Sequence, residues 1–433
     1  MRRSQRRVLM VSVVLILVLA LALVCFLWVE YQRDREALAS LETKRQEQLR
    51  ESGTGEEAPE EGQEQPKGPN AGEGTPEEGQ MPEPGEGGNY APGETDGPAP
   101  GETDGSVPGE AGADSLSGQE ERPVTLFFTG DIMLDQANVK ANYDREGISG
   151  ILSDSLLTEM QQADITVVNE EFPFSARGTQ APDKQFTFRA DPSYVSAFLD
   201  MGVDVASLAN NHALDYGTEA LSDTFATLDG AGIPYAGAGE TRERAAQPIY
   251  LNRGGMTVGV LAASRVIPVV SWNIDNQQPG MFCTYDSAQL VAAIRAAKEN
   301  CDYVAVYVHW GVERKNTPEE YQRQLAQDYI DAGADLVVGS HPHVPQGIEY
   351  YNGKPIVYSL GNFIFNSSGA DTYALKAVVT AEGNTELTVI PVGATEAKTS
   401  MLEGAQRQAL LELLQSISAG ASIDGEGRVT PAA

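Results

Sequence analysis

The sequence predicts an α/β protein with a cluster of polar side chains along one edge of its sheets. From residue 123 onward, short apolar runs alternate with amphipathic stretches, as expected for strands and helices packed in layers. Six of these apolar runs lead directly into side chains that can bind metals or transfer protons. The residues before 121 have a different composition, so we expect the folded part of the chain to begin there.

The alternation predicts the order of the secondary-structure elements. The predicted strands are residues 124–129, 165–169, 203–208, 257–263, 303–309, 336–339 and 355–359. The predicted helices are residues 153–163, 192–201, 217–230, 287–299 and 318–332. Residues 373–392 are predicted to form a β-hairpin that turns at residues 382–384. We place the folded domain at residues 121–397, followed by a C-terminal helix and tail at residues 398–433.

An apolar run of 22 residues, residues 8–29, lies close to the N-terminus. A helix of this length can cross a membrane. Arginines at positions 2, 3, 6 and 7 precede the run, so the positive-inside rule places residues 1–7 in the cytosol and the later residues outside. We therefore expect a single-pass cell-membrane protein with an extracytoplasmic domain. A cleaved signal peptide remains the alternative, because Ala20 and Ala22 have the spacing of a cleavage site.

Two further segments connect the apolar run to the domain. Residues 30–50 are charged and rich in good helix formers, which predicts a helical stalk. Residues 51–120 contain 17 Gly, 10 Pro and 18 Asp or Glu, with Tyr90 as their one aromatic residue. Such a segment cannot bury enough apolar surface to offset the entropy of ordering, so we expect a disordered acidic linker.

The charge of the chain limits its partners. The formal net charge is −32, which argues against a nucleic-acid partner because phosphate backbones would be repelled. Cys283 and Cys301 are the only cysteines in the expected extracytoplasmic part, so it can contain at most one disulfide bond.

Ligand-type side chains follow the predicted strands at their carboxyl ends. In α/β sheets this is the edge at which binding sites assemble. Carboxylates, an amide and imidazoles together suit two divalent ions of Mn, Fe or Zn. We therefore predict a dinuclear metal site whose ligands are Asp131, Glu171, Asn211, His309, His341 and His343.

His341 and His343 lie two residues apart, so on extended backbone their imidazoles would point to the same face. Three further residues, His212, Asp215 and Asn362, have predicted roles near this site. His212 follows Asn211 and is a candidate proton donor to a leaving group. Asp215 either orients that imidazole or caps the next helix, and the sequence does not decide between the two. Asn362 either contacts a ligand or caps a turn, with the turn favoured.

The ordered motifs Gly-Asp, Asn-x-Glu, Ala-Asn-Asn-His, His-Trp-Gly, Ser-His-Pro-His and Ser-Leu-Gly-Asn-Phe resemble the CapA family of bacterial capsule-synthesis proteins, also called PgsA, over about residues 122–395. The resemblance implies a calcineurin-like metallophosphoesterase fold, a four-layer αββα sandwich with a dinuclear centre. It also implies that the six residues named above are metal ligands and that His212 is catalytic. Two positions depart from the superfamily pattern. Met133 stands where an Asp-x-His motif would place a histidine, and Glu171 stands where an aspartate is usual.

Two functions are compatible with these expectations. In the first, the protein is a membrane-anchored hydrolase with two metal ions that acts on a phosphoester or envelope polymer in capsule or poly-γ-glutamate synthesis. In the second, it is a non-catalytic scaffold for polymer synthesis and export, and its metal site serves folding or grips the polymer. Expected partners are the membrane, through residues 8–29, other synthesis or export subunits, and an anionic polymer or phosphoester.

Overall fold

The computed structural model describes residues 121–182, 184–274, 278–366 and 371–432, all of which belong to one compact unit. The predicted membrane helix, stalk and acidic linker lie outside the described residues. Within the described ranges, no helix is both long enough and apolar enough to cross a membrane. The α/β prediction is confirmed, because two large sheets and a set of helices make up the unit.

The larger sheet has ten strands, which come from the first and last parts of the domain. Its strands are β1 Val124–Ile132, β2 Ile165–Glu170, β3 Val205–Ser207, β4 Tyr235–Ala236, β13 Asn362–Ile364, β14 Thr372–Val379, β15 Thr385–Thr395, β16 Lys398–Met401, β17 Ala421–Ile423 and β18 Arg428–Pro431. They run in the order β17-β18-β15-β14-β1-β2-β3-β4, with β13 paired to β1 and β16 paired to β15. The strands β1 to β4 and β13 are parallel, and the rest pair antiparallel.

The smaller sheet has six strands. They are β6 Ile249–Arg253, β7 Met256–Ser264, β9 Tyr303–His309, β10 Leu336–Ser340, β11 Gln346–Tyr351 and β12 Lys354–Ser359. Their order is β11-β12-β10-β9-β7-β6. The four central strands are parallel, and the two outer strands pair antiparallel with them. A separate short pair joins β5 Ala238–Gly239 to β8 Gly280–Met281.

Most of the helices cover the outer faces of the sheets, whereas the C-terminal helix packs Leu410, Leu411 and Leu414 into the space between the sheets. Those of the described residues are α1 Ala137–Glu146, α2 Asp154–Gln162, α3 Val195–Met201, α4 Gly217–Ala231, α5 Arg242–Ala246, α6 Ala288–Lys298, α7 Glu320–Ala332 and α8 Gly404–Ile417. Short 3₁₀ turns occur at Gly147–Gly150, Pro192–Tyr194 and Val270–Trp272. The helix predicted at residues 192–201 is thus divided into the 3₁₀ turn Pro192–Tyr194 and the α-helix Val195–Met201.

Three hydrophobic layers hold the elements together. The first packs α2, α3 and α4 against the larger sheet, the second fills the space between the two sheets, and the third packs α6 and α7 against the smaller sheet. Strand β9 shows how one sequence serves two layers. Tyr303 and Tyr307 point between the sheets, and Val304 and Val306 point toward the helices. By the same alternation, His309 points between the sheets at the carboxyl end of β9.

The C-terminal segment differs from the helix and tail expected from the sequence. The helix is present as α8, but β16, β17 and β18 add strands to the larger sheet. Val429 of β18 is in register with Leu387 of β15, and both side chains are buried between the sheets. Residues 398–432 are therefore part of the folded unit, because several of their apolar side chains are buried in its core. The hairpin predicted at residues 373–392 is confirmed as β14 and β15. Cys283 and Cys301 form no disulfide bond with each other.

Side chains buried in the layer between the sheets should contribute strongly to the stability of the domain. Leu375 of β14 is fully buried there, whereas Leu413 of α8 is 39% exposed. We expect Leu375→Ala to lower the free energy of unfolding by about 2–5 kcal/mol, since it removes buried methyl groups and leaves a cavity. Leu413→Ala should change it by less than about 0.5 kcal/mol. Urea unfolding followed by circular dichroism measures both, and equal effects would contradict this assignment of the core.

Candidate metal centre

The six predicted metal ligands come together where the carboxyl ends of strands from both sheets meet. Asp131 and Glu171 lie at the ends of β1 and β2, and His309 lies at the end of β9. Below them, the Tyr307 hydroxyl donates a hydrogen bond to the Thr129 carbonyl at 2.8 Å, which ties the smaller sheet to the larger one. The structure therefore brings together side chains up to 212 positions apart in sequence, namely Asp131, Glu171, Asn211, His309, His341 and His343.

Asp131, Glu171 and His343 form the first group of possible metal ligands. One ligand atom from each lies within 4.8 Å of the others. The Nδ1 of His343 is 3.2 Å from Oδ2 of Asp131, and its Nε2 is 3.9 Å from Oε1 of Glu171. Both carboxylates are fully buried, and the imidazole is partly buried. A carboxylate pair with one imidazole is a ligand set suited to a divalent transition metal.

Glu171, His309 and His341 form the second group, again with ligand atoms within 4.8 Å of one another. The Nε2 of His309 lies 3.5 Å from Oε1 of Glu171 and 2.7 Å from Oδ1 of Asn211. The rings of His309 and His341 have centroids 4.7 Å apart. The amide oxygen of Asn211 thus completes a set of one carboxylate, one amide and two imidazoles.

The two groups share Glu171, as a bridging carboxylate between two ions would require. Neither carboxylate oxygen of Glu171 has a hydrogen-bond partner among the described residues, although both are buried. Nδ1 of His341 is likewise buried without a hydrogen-bond partner there. Buried polar atoms without partners are costly, and cations satisfy them. The residues present therefore fit two metal ions.

The electrostatics of the cluster also favour cations. Burial lowers the pKa of His309 far below its usual value and lowers that of His341 to about 3, so both imidazoles are in the neutral form that binds metals. Burial, followed by the neighbouring Asp131 charge, raises the pKa of Glu171 well above its usual value. Burial also acts to lower the pKa of His343, but Glu171 and Asp131 outweigh it and raise that pKa to about 10. The carboxylates thus create a strong preference for positive charge.

The backbone around His341 and His343 differs from the extended conformation expected from the sequence. Strand β10 ends at Ser340, and φ is +98° at His341 and +58° at His343. Positive φ is strained for residues other than glycine, and such strain is common at functional sites. The prediction of extended backbone is wrong because the chain turns sharply around Pro342. The two rings nevertheless lie close together, with centroids 5.9 Å apart.

His212 lies beside the two ligand groups and is held by Asp215. Its Nδ1 is 2.6 Å from Oδ2 of Asp215, and Asp215 is fully buried. The helix α4 begins after Tyr216, whose side chain makes no capping hydrogen bond, and Asp215 instead accepts a hydrogen bond from the Phe188 backbone. Of the two roles that the sequence left open for Asp215, the geometry supports orienting His212. Burial lowers the pKa of His212, partly offset by Asp215.

Lys184 is a further residue of the site, and no sequence pattern indicated it. Its ammonium donates hydrogen bonds to Asp215 and to the Asn211 carbonyl, and it lies 3.0 Å from Nδ1 of His212. It also lies 5.2 Å from the centre of the Trp272 ring. Lys184 comes from a segment without regular structure between β2 and α3, so no periodicity marks it.

Four polar residues next to the ligands position them. Asn169 donates to Asp131 at 2.8 Å, and Asn210 donates to the Glu170 carbonyl at 2.7 Å. The Ser340 hydroxyl lies 3.0 Å from Nδ1 of His309. Asn362 accepts from Nδ1 of His343 at 2.8 Å, so it contacts a site residue rather than serving only its turn. Hydrogen bonds from neighbouring residues to a metal ligand fix the tautomer and orientation of its imidazole. All four residues stand within or next to the motifs at the strand ends, which was the available signal.

Two residues near the motifs lie away from the ligand cluster. Met133 is fully buried in the hydrophobic layer on the helix side of the larger sheet, so it cannot replace the histidine of an Asp-x-His motif. Glu170 is the last residue of β2 and follows Val168 by two positions, so it points with Val168 to the helix side of the larger sheet. Burial raises its pKa well above its usual value, and neither carboxylate oxygen has a partner among the described residues.

Lys184 should tune the protonation of His212. We expect Lys184→Met to raise the pKa of His212 in metal-free protein, since the lysine charge disfavours the imidazolium. NMR titration of the histidine ring protons measures this shift. Lys398→Met, in β16 outside the site, is the matched control and should leave the titration unchanged. A lower His212 pKa in Lys184→Met would contradict the arrangement.

The fold and the cluster together define an α/β protein with a candidate dinuclear metal centre. The chain matches the family "Bacterial capsule synthesis protein PGA_cap" over residues 125–367, which is more than half of its length. It therefore belongs to this family, and the resemblance to CapA and PgsA proteins is confirmed. The motifs that carried the resemblance lie within the matched residues.

Three relatives show how far the similarity extends. The capsule biosynthesis protein CapA of Bacillus anthracis is 32% identical over 288 residues, which cover 64% of this chain and 69% of that protein. The PGA biosynthesis protein CapA of Bacillus subtilis is 34% identical over 247 residues, covering 57% and 64%. A probable polyglutamine synthesis accessory protein of Mycobacterium tuberculosis is 34% identical over 221 residues, covering 49% and 58%. The chain thus spans less than two thirds of the length of the last two.

Solved structures resemble the chain only distantly. A hypothetical protein from Thermus thermophilus has a TM-score of 0.39 and 17% identity, covering 63% of this chain and 100% of that one. The sulfate thiohydrolase SoxB of Thermus thermophilus has a TM-score of 0.38 and 13% identity, covering 67% and 60%. These scores are too low to add to the family assignment.

Proposed function

We propose that this protein is a membrane-anchored, extracytoplasmic hydrolase of capsule or poly-γ-glutamate synthesis, with two metal ions at the cluster. The observation that carries the proposal is that two possible ligand groups share the buried Glu171, while His212 and Asp215 lie beside them. Family membership supports the role in capsule synthesis. The bond hydrolysed would be a phosphoester or an amide bond of an anionic envelope polymer.

The first ion would be held by Asp131, Glu171 and His343, and the second by Glu171, Asn211, His309 and His341. Two divalent ions of Mn, Fe or Zn in such sites activate a water molecule and stabilise negative charge on the attacked group. The protein side chains would provide the charges and ligands that hold the two ions. Asp131 and Glu171 would supply negative charge to the bound ions, and neutral imidazoles from His309 and His341 would add ligands without adding charge.

His212 is proposed as the group that transfers a proton during hydrolysis. Because Asp215 holds Nδ1 at 2.6 Å, the Nε2 atom is left to exchange a proton with the substrate. In the step that breaks the bond, the oxygen or nitrogen of the leaving group takes that proton as its bond to carbon or phosphorus breaks. Asp215 stabilises the imidazolium, and the charge of Lys184 disfavours it.

The location and partners of the protein belong to the same proposal. Residues 8–29 would anchor the chain in the membrane, with residues 1–7 in the cytosol and the domain outside. Residues 30–120 would act as stalk and linker. The names of the relatives, which refer to capsule and PGA biosynthesis, support a place beside other synthesis or export subunits.

A scaffold role is the second candidate, and Met133 favours it. The side chain at this position is buried in a hydrophobic layer, so the first ligand group has three protein ligands and lacks the expected imidazole. A metal ion held in this way would still cross-link strands of both sheets. In that case the protein would organise polymer synthesis and export without cleaving a bond.

Hydrolysis assays on the metal-loaded full-length protein separate the two candidates. The substrates are poly-γ-glutamate, followed by the decrease in its chain length, and a chromogenic phosphodiester. The hydrolase proposal predicts turnover of one of them that depends on added metal and on His212. Full metal loading without turnover, together with normal polymer production in cells that carry His212→Ala, would contradict it and favour the scaffold.

A further inference from the structure

A cavity of about 400 Å³ lies beside Arg265, just beyond the end of β7. Its walls include the side chains of Tyr285, Tyr321 and Leu325. None of the proposed metal ligands lines it, so it is separate from the candidate metal centre. It combines one cationic group with largely hydrophobic walls.

Arg265 is held in place by aromatic rings rather than by an acid. Its guanidinium carbon lies 3.7 Å from the centre of the Tyr285 ring and 5.4 Å from that of Tyr321. Its Nη1 is buried and has no hydrogen-bond partner among the described residues. Stacking of this kind fixes the plane of the guanidinium while leaving its N–H groups available. A buried cationic donor without a partner indicates a missing acceptor.

Two hydroxyl groups lie near this arginine. Thr284 Oγ1 and Tyr329 Oη are buried and make no hydrogen bond of normal geometry with the described residues. Burial raises the pKa of Tyr329, and Thr284 and Arg265 act to lower it, which puts the three groups in one neighbourhood. Since the two hydroxyls can satisfy each other after a small rotation, the case for a ligand depends on Arg265.

The cavity lies at the same edge of the smaller sheet as the metal centre. The backbone N–H of Arg265 donates a hydrogen bond to the His309 carbonyl at 2.8 Å. The Tyr321 hydroxyl accepts one from the backbone N–H of Gly311, also at 2.8 Å. Ser264 is in register with His309, so Arg265, the next residue, emerges at the same edge of the smaller sheet but toward α7. A small anion would bind either in the Arg265 cavity or at the metal centre, whereas a flexible chain with repeated anionic groups can reach both.

We propose that the Arg265 cavity binds a carboxylate of an acidic, amide-linked polymer whose neighbouring units extend toward the metal centre. The inference deepens the proposed function and depends on it only for the identity of that polymer. A guanidinium pairs with a carboxylate through two parallel hydrogen bonds, and the aromatic and leucine walls suit the methylene groups that carry the carboxylate.

A phosphate group fits the cavity less well. Arg265 is the only cationic residue among its lining residues, and Glu320, which also lines it, makes no ion pair with Arg265 within the described part of the chain. Because Coulomb repulsion scales with charge, Glu320 opposes a phosphate dianion more strongly than a carboxylate.

The binding test uses the full-length protein treated with a chelator and a fluorescein-labelled deca-γ-glutamate, followed by fluorescence anisotropy. Arg265→Met should weaken binding by roughly 10-fold or more, the effect of losing charged hydrogen bonds. Glu320→Gln should strengthen it, since it removes the opposing charge. Arg295→Met, at an exposed arginine on α6, is the matched control and should bind as the unaltered protein does.

Three comparisons complete the test. Arg265→Lys keeps the charge but loses the planar fork, so it should bind more weakly than the unaltered protein and more tightly than Arg265→Met. Unchanged thermal unfolding of Arg265→Met ensures that lost binding is not lost folding. Inorganic phosphate at equal concentration should displace the probe less well than glutarate, a simple dicarboxylate.

Failures of the two proposals are distinguishable. Equal binding by Arg265→Met and the unaltered protein overturns the carboxylate site, whatever the hydrolysis assays give. Better displacement by phosphate than by glutarate overturns the choice of carboxylate. Binding that depends on Arg265 in a protein that hydrolyses neither poly-γ-glutamate nor phosphodiester overturns the hydrolase and leaves the carboxylate site standing.

Discussion

His212→Ala is expected to reduce hydrolysis by the metal-loaded protein by about 10²–10⁴-fold, the contribution typical of a positioned general acid or base. The reason is the arrangement in which Nδ1 of His212 lies 2.6 Å from the buried Asp215 carboxylate. Without the imidazole, the leaving group loses the proton donor that Asp215 orients. The turnover number on saturating substrate measures the effect.

The metal content of the same preparation is the control for this prediction. His212 is in neither ligand group, so His212→Ala should bind as much metal as the unaltered protein. Asp215→Asn should also lose activity while it retains metal, because it changes the hydrogen bond that sets the tautomer of His212. Turnover that persists at the original rate in His212→Ala would remove this residue from the mechanism.

Glu171→Gln is expected to have the second large effect, a loss of metal at both positions. Glu171 is the residue common to the two ligand groups, and its carboxylate carries negative charge. A neutral amide cannot bridge two cations as a carboxylate does, so the metal content should fall from about two ions per chain toward none. Inductively coupled plasma mass spectrometry after dialysis measures the stoichiometry.

Glu170→Gln is a matched control for that prediction. The two glutamates are adjacent and both are buried, but Glu170 points to the helix side of the larger sheet. The same change of carboxylate to amide at residue 170 should therefore leave the metal content of the protein unchanged. Equal losses of metal in the two variants would mean that the effect comes from disturbing β2 rather than from losing a bridging ligand.

The strand-end ligands could be predicted because each depends on a local pattern. Strand β9 is observed at the predicted bounds, Tyr303–His309, and its last residue lies at the cluster. Parallel strands have their carboxyl ends at the same edge of a sheet, so polar residues that follow several of these strands lie close together at that edge. Asp131, Glu171 and the three histidines beyond residue 300 follow this rule.

Other features of the site depend on contacts that no local pattern reports. Lys184 reaches Asp215 because an irregular segment folds back over the site, and nothing in its neighbouring residues signals that contact. The positive φ at His341 and His343 follows from the turn after β10, whereas their spacing suggested a strand. The side of the sheet that Glu170 faces becomes clear only once the layers are known.

The C-terminal strands illustrate the same limit for the fold. β17 and β18 are short, and their apolar residues are too few to give a strand pattern. They form because Val429 pairs with Leu387 of β15, more than 40 positions earlier in the chain. Pairing over such distances is determined by the shape of the completed core, so the sequence suggested a tail instead.

The central claim is that the cluster holds two metal ions that share Glu171. The most direct test is a crystal structure of the protein grown with Mn²⁺, with anomalous difference density collected at the manganese edge. We predict two peaks about 3.5–4 Å apart, one beside Asp131 and His343 and the other beside His309 and His341. No peak at these residues, or a single peak that does not contact Glu171, would contradict the dinuclear centre.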